Sequence, residues 1–288
     1  MDSEKKQKNK DEQKKVNEEI ENSGSNDSTK TKTHGEILKQ QIIEGCETYD
    51  RSSSSILLSS FTAGLEIGFS YLMICSVFSF FQGTVAEATI YKLIAFVYPI
   101  GFILVVLGQS ILFTEQTSLL TLPVLSGSRS VLSLFKIWGL VILGNLVGGM
   151  LIALTLSWIG PNLGLFEADT IASIGEHYAD YNFATILVSA ILAGWLMGLL
   201  SWLVTSSKET TSEIIIIYLI TAVMGFTGLH HSIIGNIEIF AGMLVSSEID
   251  FLVYSKTLIT ALLGNALGAA IFVALLKYRA FVFNVKMP

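Results

Sequence analysis

The sequence predicts an all-α membrane protein with six transmembrane helices in two inverted three-helix repeats, helices 2 and 5 being broken. Three observations predict it. The chain is 51% hydrophobic and only 15% charged, with a mean hydropathy of +0.59, outside the range of soluble domains. From Ile56 onward it divides into six apolar blocks, two of which are too long for one helix and too short for two. Short motifs of the first half recur, in the same order, in the second.

The amino-terminal stretch "MDSEKKQKNKDEQKKVNEEIENSGSNDSTKTKTHG" has almost no aliphatic content. Residues 1–34 therefore read as a disordered cytoplasmic tail unable to bury a core. No short apolar core and cleavage site follow its basic start, so it is not a signal peptide. The formal net charge of -6 says little about partners. No basic patch interleaved with aromatic residues occurs, which excludes nucleic acid. Residues 35–52 carry Ile37, Leu38, Ile42 and Ile43 at helical spacing, an amphipathic helix. It either lies along the membrane surface or packs on neighbouring subunits. Cys46 and Cys75 have no metal spacing and read as packing residues rather than a disulfide.

A bilayer core needs about 20 apolar residues per helix. The six-helix channel or transporter domain spans 53–280, with blocks at roughly 56–80, 91–127, 136–159, 183–205, 213–246 and 257–277, and residues 281–288 form a cytoplasmic carboxyl terminus. Block two is interrupted by Pro99, Gly101, Gly108 and "QSILFTEQT", block five by "GFTGLHHSIIGNIE". Irregular backbone at membrane depth survives only where protein or a water-filled cavity covers it, so both blocks are broken helices. Arg51, Arg129, Lys136, Lys208, Lys277, Arg279 and Lys286 fall on the side of the tail, whereas the opposite loops are mainly acidic. Both termini are thus expected in the cytoplasm.

"LGNLVGG" at 143–149 matches "LGNALGA" at 263–269, and "AGLEIG" at 63–68 matches "AGWLMG" at 193–198. Block three pairs with six, block one with four, and the broken blocks two and five pair by elimination. Because three is odd, the second half enters from the opposite side. Inverted repeats with discontinuous helices are a transport architecture whose site lies at the breaks. Small-xxx-small spacing in the "AG" motifs lets backbones approach closely.

The symmetry sets "LFTEQT" against "LHHSIIGN". An ionisable group inside the membrane costs about 2.5–3.5 kcal/mol and marks a pathway. His231 is the functional choice, because imidazole can hold or release a proton near neutral pH. Thr114 offers a hydroxyl to orient it, and His230, facing another direction, reads as a packing residue. Backbone N–H groups at half-helix starts attract anions without a formal positive charge. Glu115 and Glu238 flank the breaks and read as caps or partners of polar neighbours. Glu66 either lines the lumen or contacts another subunit.

These motifs resemble the formate/nitrite transporter family over about residues 35–280. "LFTEQT" at 112–117 is similar to the family's broken-helix loop, and "GLHHSIIGN" at 228–236 is similar to its Gly-Phe-x-His-Ser-Ile-x-Asn segment. The resemblance implies a homopentamer of six-helix subunits with an aquaporin-like fold in a bacterial or archaeal cell membrane. It implies that His231 is the central pore histidine and Thr114 its hydrogen-bond partner, with Ser232 and Asn236 in support. It places Tyr98 and Phe102 at the cytoplasm-side constriction and Met224 at the periplasm-side one. Three positions depart from the family pattern. Gly235 and Gly194 stand where members carry asparagine, and "EHYADY" stands where they carry a lysine.

The expected function is a pathway for formate or a similar small monovalent anion through a hydrophobic constriction with a protonatable histidine. The alternative is an aquaporin-like pore for a small neutral solute or ammonia. No nucleophile–base pair, phosphate loop, metal set or cofactor site occurs, so an enzyme is not expected.

Overall fold

The computed structural model describes residues 2–22 and 32–286, and these are helical throughout, with no strand among them. Helices α1 (Asp2–Asn22) and α2 (His34–Asp50) precede the spans. The first half is α3 (Ser53–Phe81), a divided second span, and α7 (Val131–Asn162). That divided span consists of α4 (Glu87–Leu93), a tight turn at Ile94–Phe96, α5 (Pro99–Leu107) and α6 (Phe113–Leu125). A connecting helix α8 (Ala168–Ala179) leads to α9 (Phe183–Ser206), the divided fifth span α10 (Thr210–Thr227) and α11 (Ser232–Val245), and α12 (Phe251–Leu267). The last span widens into a π-helical stretch at Gly268–Leu275 before α13 (Leu276–Lys286). Six helical segments are long and apolar enough to cross a membrane, and both long blocks are broken as the sequence predicts. Six crossings bring the two ends of the chain to one face, here called the terminal face.

The starts of the helices are written locally. Ser52, Ser130, Asn182 and Asp250 each accept the backbone N–H three residues on, closing the first turns of α3, α7, α9 and α12. Pro99 opens α5, where its missing N–H costs nothing.

The repeat is visible as matched packing. A side chain on Gly64 of α3 would strike the Asn145 carbonyl of α7, and one on Gly194 of α9 would strike the Asn265 carbonyl of α12. Gly144 fits over Ser60 and Leu57, and its counterpart Gly264 fits over Ala190 and Leu187. Gly148 lies on Phe61 and Gly64, and Gly268 on Ile191 and Gly194. These three glycine pairs occupy equivalent places in the "AG" and "LGN" motifs. They let α3 and α7 pack backbone to backbone in one half, and α9 and α12 in the other.

The tail differs from expectation. Residues 2–22, expected to be disordered, form α1, whose Val16 and Ile20 are buried with Tyr278 and Val282 of α13. Gln13 Nε2 donates to the Tyr278 hydroxyl at 2.7 Å, and Lys39 Nζ of α2 donates to the Glu21 carbonyl at 2.6 Å. Two aliphatic residues four apart on a charged helix suffice to dock it when a partner face exists, which composition alone does not reveal. Residue 1 and residues 23–31 of that expected tail, and residues 287–288 of the expected carboxyl terminus, lie outside the described residues.

Helix α2 forms over the residues expected to be an amphipathic helix. It packs on its own subunit, with Leu38 fully buried. Gln41 Nε2 donates to Ser201 Oγ at 3.2 Å and Thr205 Oγ1 at 3.3 Å, and the Tyr49 hydroxyl donates to the Leu120 carbonyl at 2.9 Å. A capping box of Thr33 and Glu36 starts it. Cys46 and Cys75 are free thiols.

Candidate functional site

Each broken span turns through a residue in the left-handed region. Gln109 has φ of 57° after α5, and Gly228 has φ of 67° after α10. Three residues beyond each, an extended residue caps the half-helix that follows, Leu112 for α6 and His231 for α11.

Two asparagines hold these loops. Asn145 Oδ1 accepts the Phe113 N–H at 2.8 Å, while its Nδ2 donates to the Ile111 carbonyl at 2.9 Å and the Ser60 carbonyl at 2.7 Å. Asn265 Oδ1 accepts the Ser232 N–H at 2.8 Å, while its Nδ2 donates to the His230 carbonyl at 3.0 Å and the Ala190 carbonyl at 2.8 Å. Both asparagines are fully buried. Every bond has its counterpart, so Ile111 matches His230 and Phe113 matches Ser232. Leu112 therefore stands where the other half has His231. The two halves are symmetric in backbone and asymmetric in side chains, His230 and His231 standing opposite Ile111 and Leu112.

The first turns of α6 and α11 meet at that level. Thr114 Oγ1 and His231 Nε2 are 2.6 Å apart, and both residues are fully buried. On the other side of the ring, Nδ1 accepts from the Ile234 N–H at 3.5 Å. This pattern assigns the proton of the neutral ring to Nε2, which then donates to Thr114. Phe102 lies edge-on to the imidazole, ring centres 5.0 Å apart, and stacks on Tyr98 at 5.3 Å.

Cavities approach this plug from both faces. The one on the face opposite the termini holds about 260 Å³ and is lined by Tyr91, Lys92, Tyr98, His177, Tyr178, Met224, His230 and Glu238, among others. The terminal-face cavity holds about 540 Å³, and Lys32, Glu44, Arg51, Glu115 and Glu213 contribute to its wall. His231, Thr114 and Phe102 line neither cavity and close the space between them.

The structure corrects one placement. Tyr98 belongs to the same mouth as Met224, not to the terminal side, and Phe102 lies one turn deeper at the level of His231. An odd number of spans precedes the second one, so α4 enters from the opposite face. Its early residues, Tyr91 to Tyr98, consequently lie toward that face, and α5 runs on until Val106 and Leu107 reach the terminal-face cavity.

His230 has both ring nitrogens engaged, Nδ1 with Ser189 Oγ at 2.9 Å and Nε2 with the Tyr178 carbonyl at 3.1 Å. The Ser232 side chain has no partner among the described residues. Asn236 braces α11, accepting from the Tyr254 hydroxyl at 2.7 Å and donating to the Leu146 carbonyl at 3.3 Å. Glu115 accepts from Gln116 Nε2 at 2.7 Å and faces the terminal cavity. Glu66 lines neither cavity; its carboxylate reaches Gly108 at the first break, and Oε2 has no partner among the described residues. Glu238, expected to cap or pair, does neither and lines the opposite-face cavity, 7% exposed.

Two departures from the family pattern have structural reasons. Gly235 lies under the Tyr178 ring, where a side chain would collide, and the Tyr178 hydroxyl donates to the His231 carbonyl at 3.1 Å. Gly194 gives way to Asn265, which holds the second loop from the neighbouring helix. Near the third departure, Lys92 reaches the rim of the cavity from α4. Its Nζ donates to the Phe226 carbonyl at 2.7 Å and lies 4.8 Å from the centre of the Phe226 ring. His177 stacks on Tyr91 at 3.7 Å, and burial, with Lys92 adding, holds its imidazole below the ordinary range against Glu87 and Asp180.

Sequence reasoning gave no site role to Tyr91 or Lys92 and met Tyr178 only within "EHYADY"; the three share no motif and meet only through the fold. It also missed the work of Asn145 and Asn265. The signal for them was present, since an asparagine occupies the same place in both copies of "LGN".

Fold and site together define a membrane transport protein of the inverted-repeat, broken-helix class. Comparison with known proteins is specific about the family. The formate/nitrite transporter profile matches residues 35–279, and the chain belongs to that family. An uncharacterized transporter of Bacillus subtilis strain 168, YrhG, is 26% identical over 253 residues, covering 85% of this chain and 92% of its own. Among solved structures, an FNT family ion channel superposes with a TM-score of 0.76 at 22% identity, covering 85% of this chain and 98% of that one. A pentameric formate channel with formate bound superposes with a TM-score of 0.66 at 21% identity, covering 80% and 98%. The fold is accordingly the aquaporin-like one of these channels.

Proposed function

We propose that the protein conducts formate or a similar small monovalent anion across the membrane, with a proton, through the constriction at His231. The observation that carries this reading is the 2.6 Å contact between Thr114 Oγ1 and His231 Nε2, at the meeting of two half-helix starts and between two cavities. A bare anion entering a dry constriction loses its hydration at a cost of several kcal/mol. The half-helix starts turn their positive ends toward it, and the imidazole shares or supplies a proton, so the charge never stands alone. Apolar Phe102, Tyr98 and Met224 keep water from bridging the gap.

The same reading has the protein in a bacterial or archaeal cell membrane with both termini in the cytoplasm, supported by the basic loops of the terminal face. It also has five subunits assembled with one pathway each, supported by the pentameric formate channel of the same fold.

One observation favours a second reading, a pore for a small neutral solute or ammonia. Glu44, Glu47, Glu115 and Glu213 line the terminal cavity against only Lys32 and Arg51, a balance that does not draw anions. Stopped-flow swelling of proteoliposomes in formate, nitrite, acetate, glycerol, urea and methylamine separates the two. Flux of formate or nitrite well above the neutral solutes supports the first; the reverse order replaces it with the second.

A further inference from the structure

Glu238 is a carboxylate nine-tenths buried in the wall of the opposite-face cavity, with no hydrogen bond or ion pair to any described residue. Several of the other polar groups of that chamber are already engaged. His230 is bonded at both nitrogens, the Tyr178 hydroxyl donates to the His231 carbonyl, the Tyr91 hydroxyl donates to the Ser173 carbonyl at 3.3 Å, and Lys92 is held by Phe226. Glu238 also stands seven residues beyond His231, the N-cap of α11, about 10 Å further along the axis toward the opposite face. Tyr98 and Met224 contribute to the chamber wall, while His231 lies outside it.

We propose that Glu238 is the docking site for the substrate's carboxylate at this entrance, joined to it through one shared proton, and the group that hands over that proton. The proposal rests on the anion reading given above. Two carboxylates in one apolar chamber cannot both remain ionised; one proton between them turns repulsion into a charge-assisted hydrogen bond. As the substrate moves on, the O–H bond of Glu238 breaks and an O–H bond forms on the substrate. Glu238 is left ionised and takes a proton back from water of the vestibule. The neutral acid passes Tyr98 and Met224, and at His231 its proton transfers to the imidazole. The imidazolium N–H bond then breaks as the proton returns to the anion, and the neutral acid leaves toward the terminal face, so each passage moves one proton and one anion and no net charge.

The groups that face Glu238 set what it can share a proton with. Tyr71 and Cys75 come from α3, Tyr91 from α4, Tyr98 from the start of α5 and Tyr178 from α8. His177, Tyr181, His230 and Lys92 complete the ionisable lining, and Glu87 stands beside Tyr91 and His177 at the rim. Among the described residues Lys92 is the only ammonium or guanidinium group in that lining, and it is held at the Phe226 carbonyl.

The test uses the full chain in proteoliposomes, with labelled formate uptake measured against external pH for wild type, E238Q and E238D, each checked for assembly by size exclusion. Wild-type uptake should rise as pH falls. E238Q should lose about tenfold at neutral pH and flatten the profile, and E238D should restore its slope. In infrared difference spectra of the wild type, formate should perturb a protonated carboxyl band that E238Q lacks. Wild-type rate and profile in E238Q, or a uniform loss with the slope intact, would overturn the role of Glu238 alone. Absence of formate flux in the wild type would overturn the anion reading itself, and with it this inference.

Discussion

At the scale of single residues, the site is a set of buried polar atoms with few partners to spare. Replacing Asn265 by alanine strands the Ser232 N–H and the His230 and Ala190 carbonyls, at a cost of about 2–5 kcal/mol. Asn145→Ala should cost a similar amount at the other break, and thermal unfolding in detergent measures both. A loss at only one of them would contradict the symmetry of the clamps. Thr114→Val keeps the volume and removes the hydroxyl bonded to His231, so formate uptake should fall by about tenfold while Thr114→Ser retains most of it. His231 and Thr114 were legible in the sequence because a costly imidazole and a conspicuous break announce themselves. Tyr98 was singled out only through the family resemblance, and its side was not legible, since its position depends on counting crossings. Lys92 and Glu238 acquire their settings only when α4, α8 and α11 come together, which no spacing along the chain encodes.

At the scale of elements, helix contact and helix docking make separate predictions. Gly64 and Gly194 lie where the helix pairs touch through backbone, so a valine at either must push its helix away from the neighbour; each should destabilise by about 1–3 kcal/mol and slow assembly. These contacts were foreseeable, because small residues four apart on two segments predict close approach. The docking of α1 and α2 was not. It depends on a surface composed by α9 and α13, where His34 lies edge-on to Trp202 at 5.1 Å and Phe281 at 6.0 Å. Burial first and Lys277 second hold the His34 imidazole below its ordinary 6.5. A depressed histidine contributes its stability above the unfolded value and loses it as pH falls. Docking of α2 should therefore loosen below about pH 6.5. Hydrogen exchange over residues 34–50 checks this, and His34→Phe should abolish the pH dependence; unchanged protection from pH 7.5 to 5 would contradict it.

At the scale of the whole molecule, one inverted repeat yields a pathway whose two ends differ. The matched clamps of Asn145 and Asn265 build equal loops, and the exchange of Leu112 for His231 places one proton-bearing group at the centre. The six spans, the two breaks and the pairing of halves were all present in the sequence, because bilayer thickness and repeated glycines constrain them strongly. The unequal cavities, one acidic and one walled by tyrosines, were not, because residues from many segments share them. The most direct measurement of the central claim is formate uptake by purified protein in proteoliposomes across a series of external pH values, comparing wild type with His231→Asn. That substitution keeps a polar side chain beside Thr114 and removes the titrating ring. The account predicts wild-type uptake that climbs as pH falls, and in His231→Asn a rate lower by about tenfold or more with no climb. A His231→Asn protein that assembles normally and retains the wild-type pH profile would contradict it.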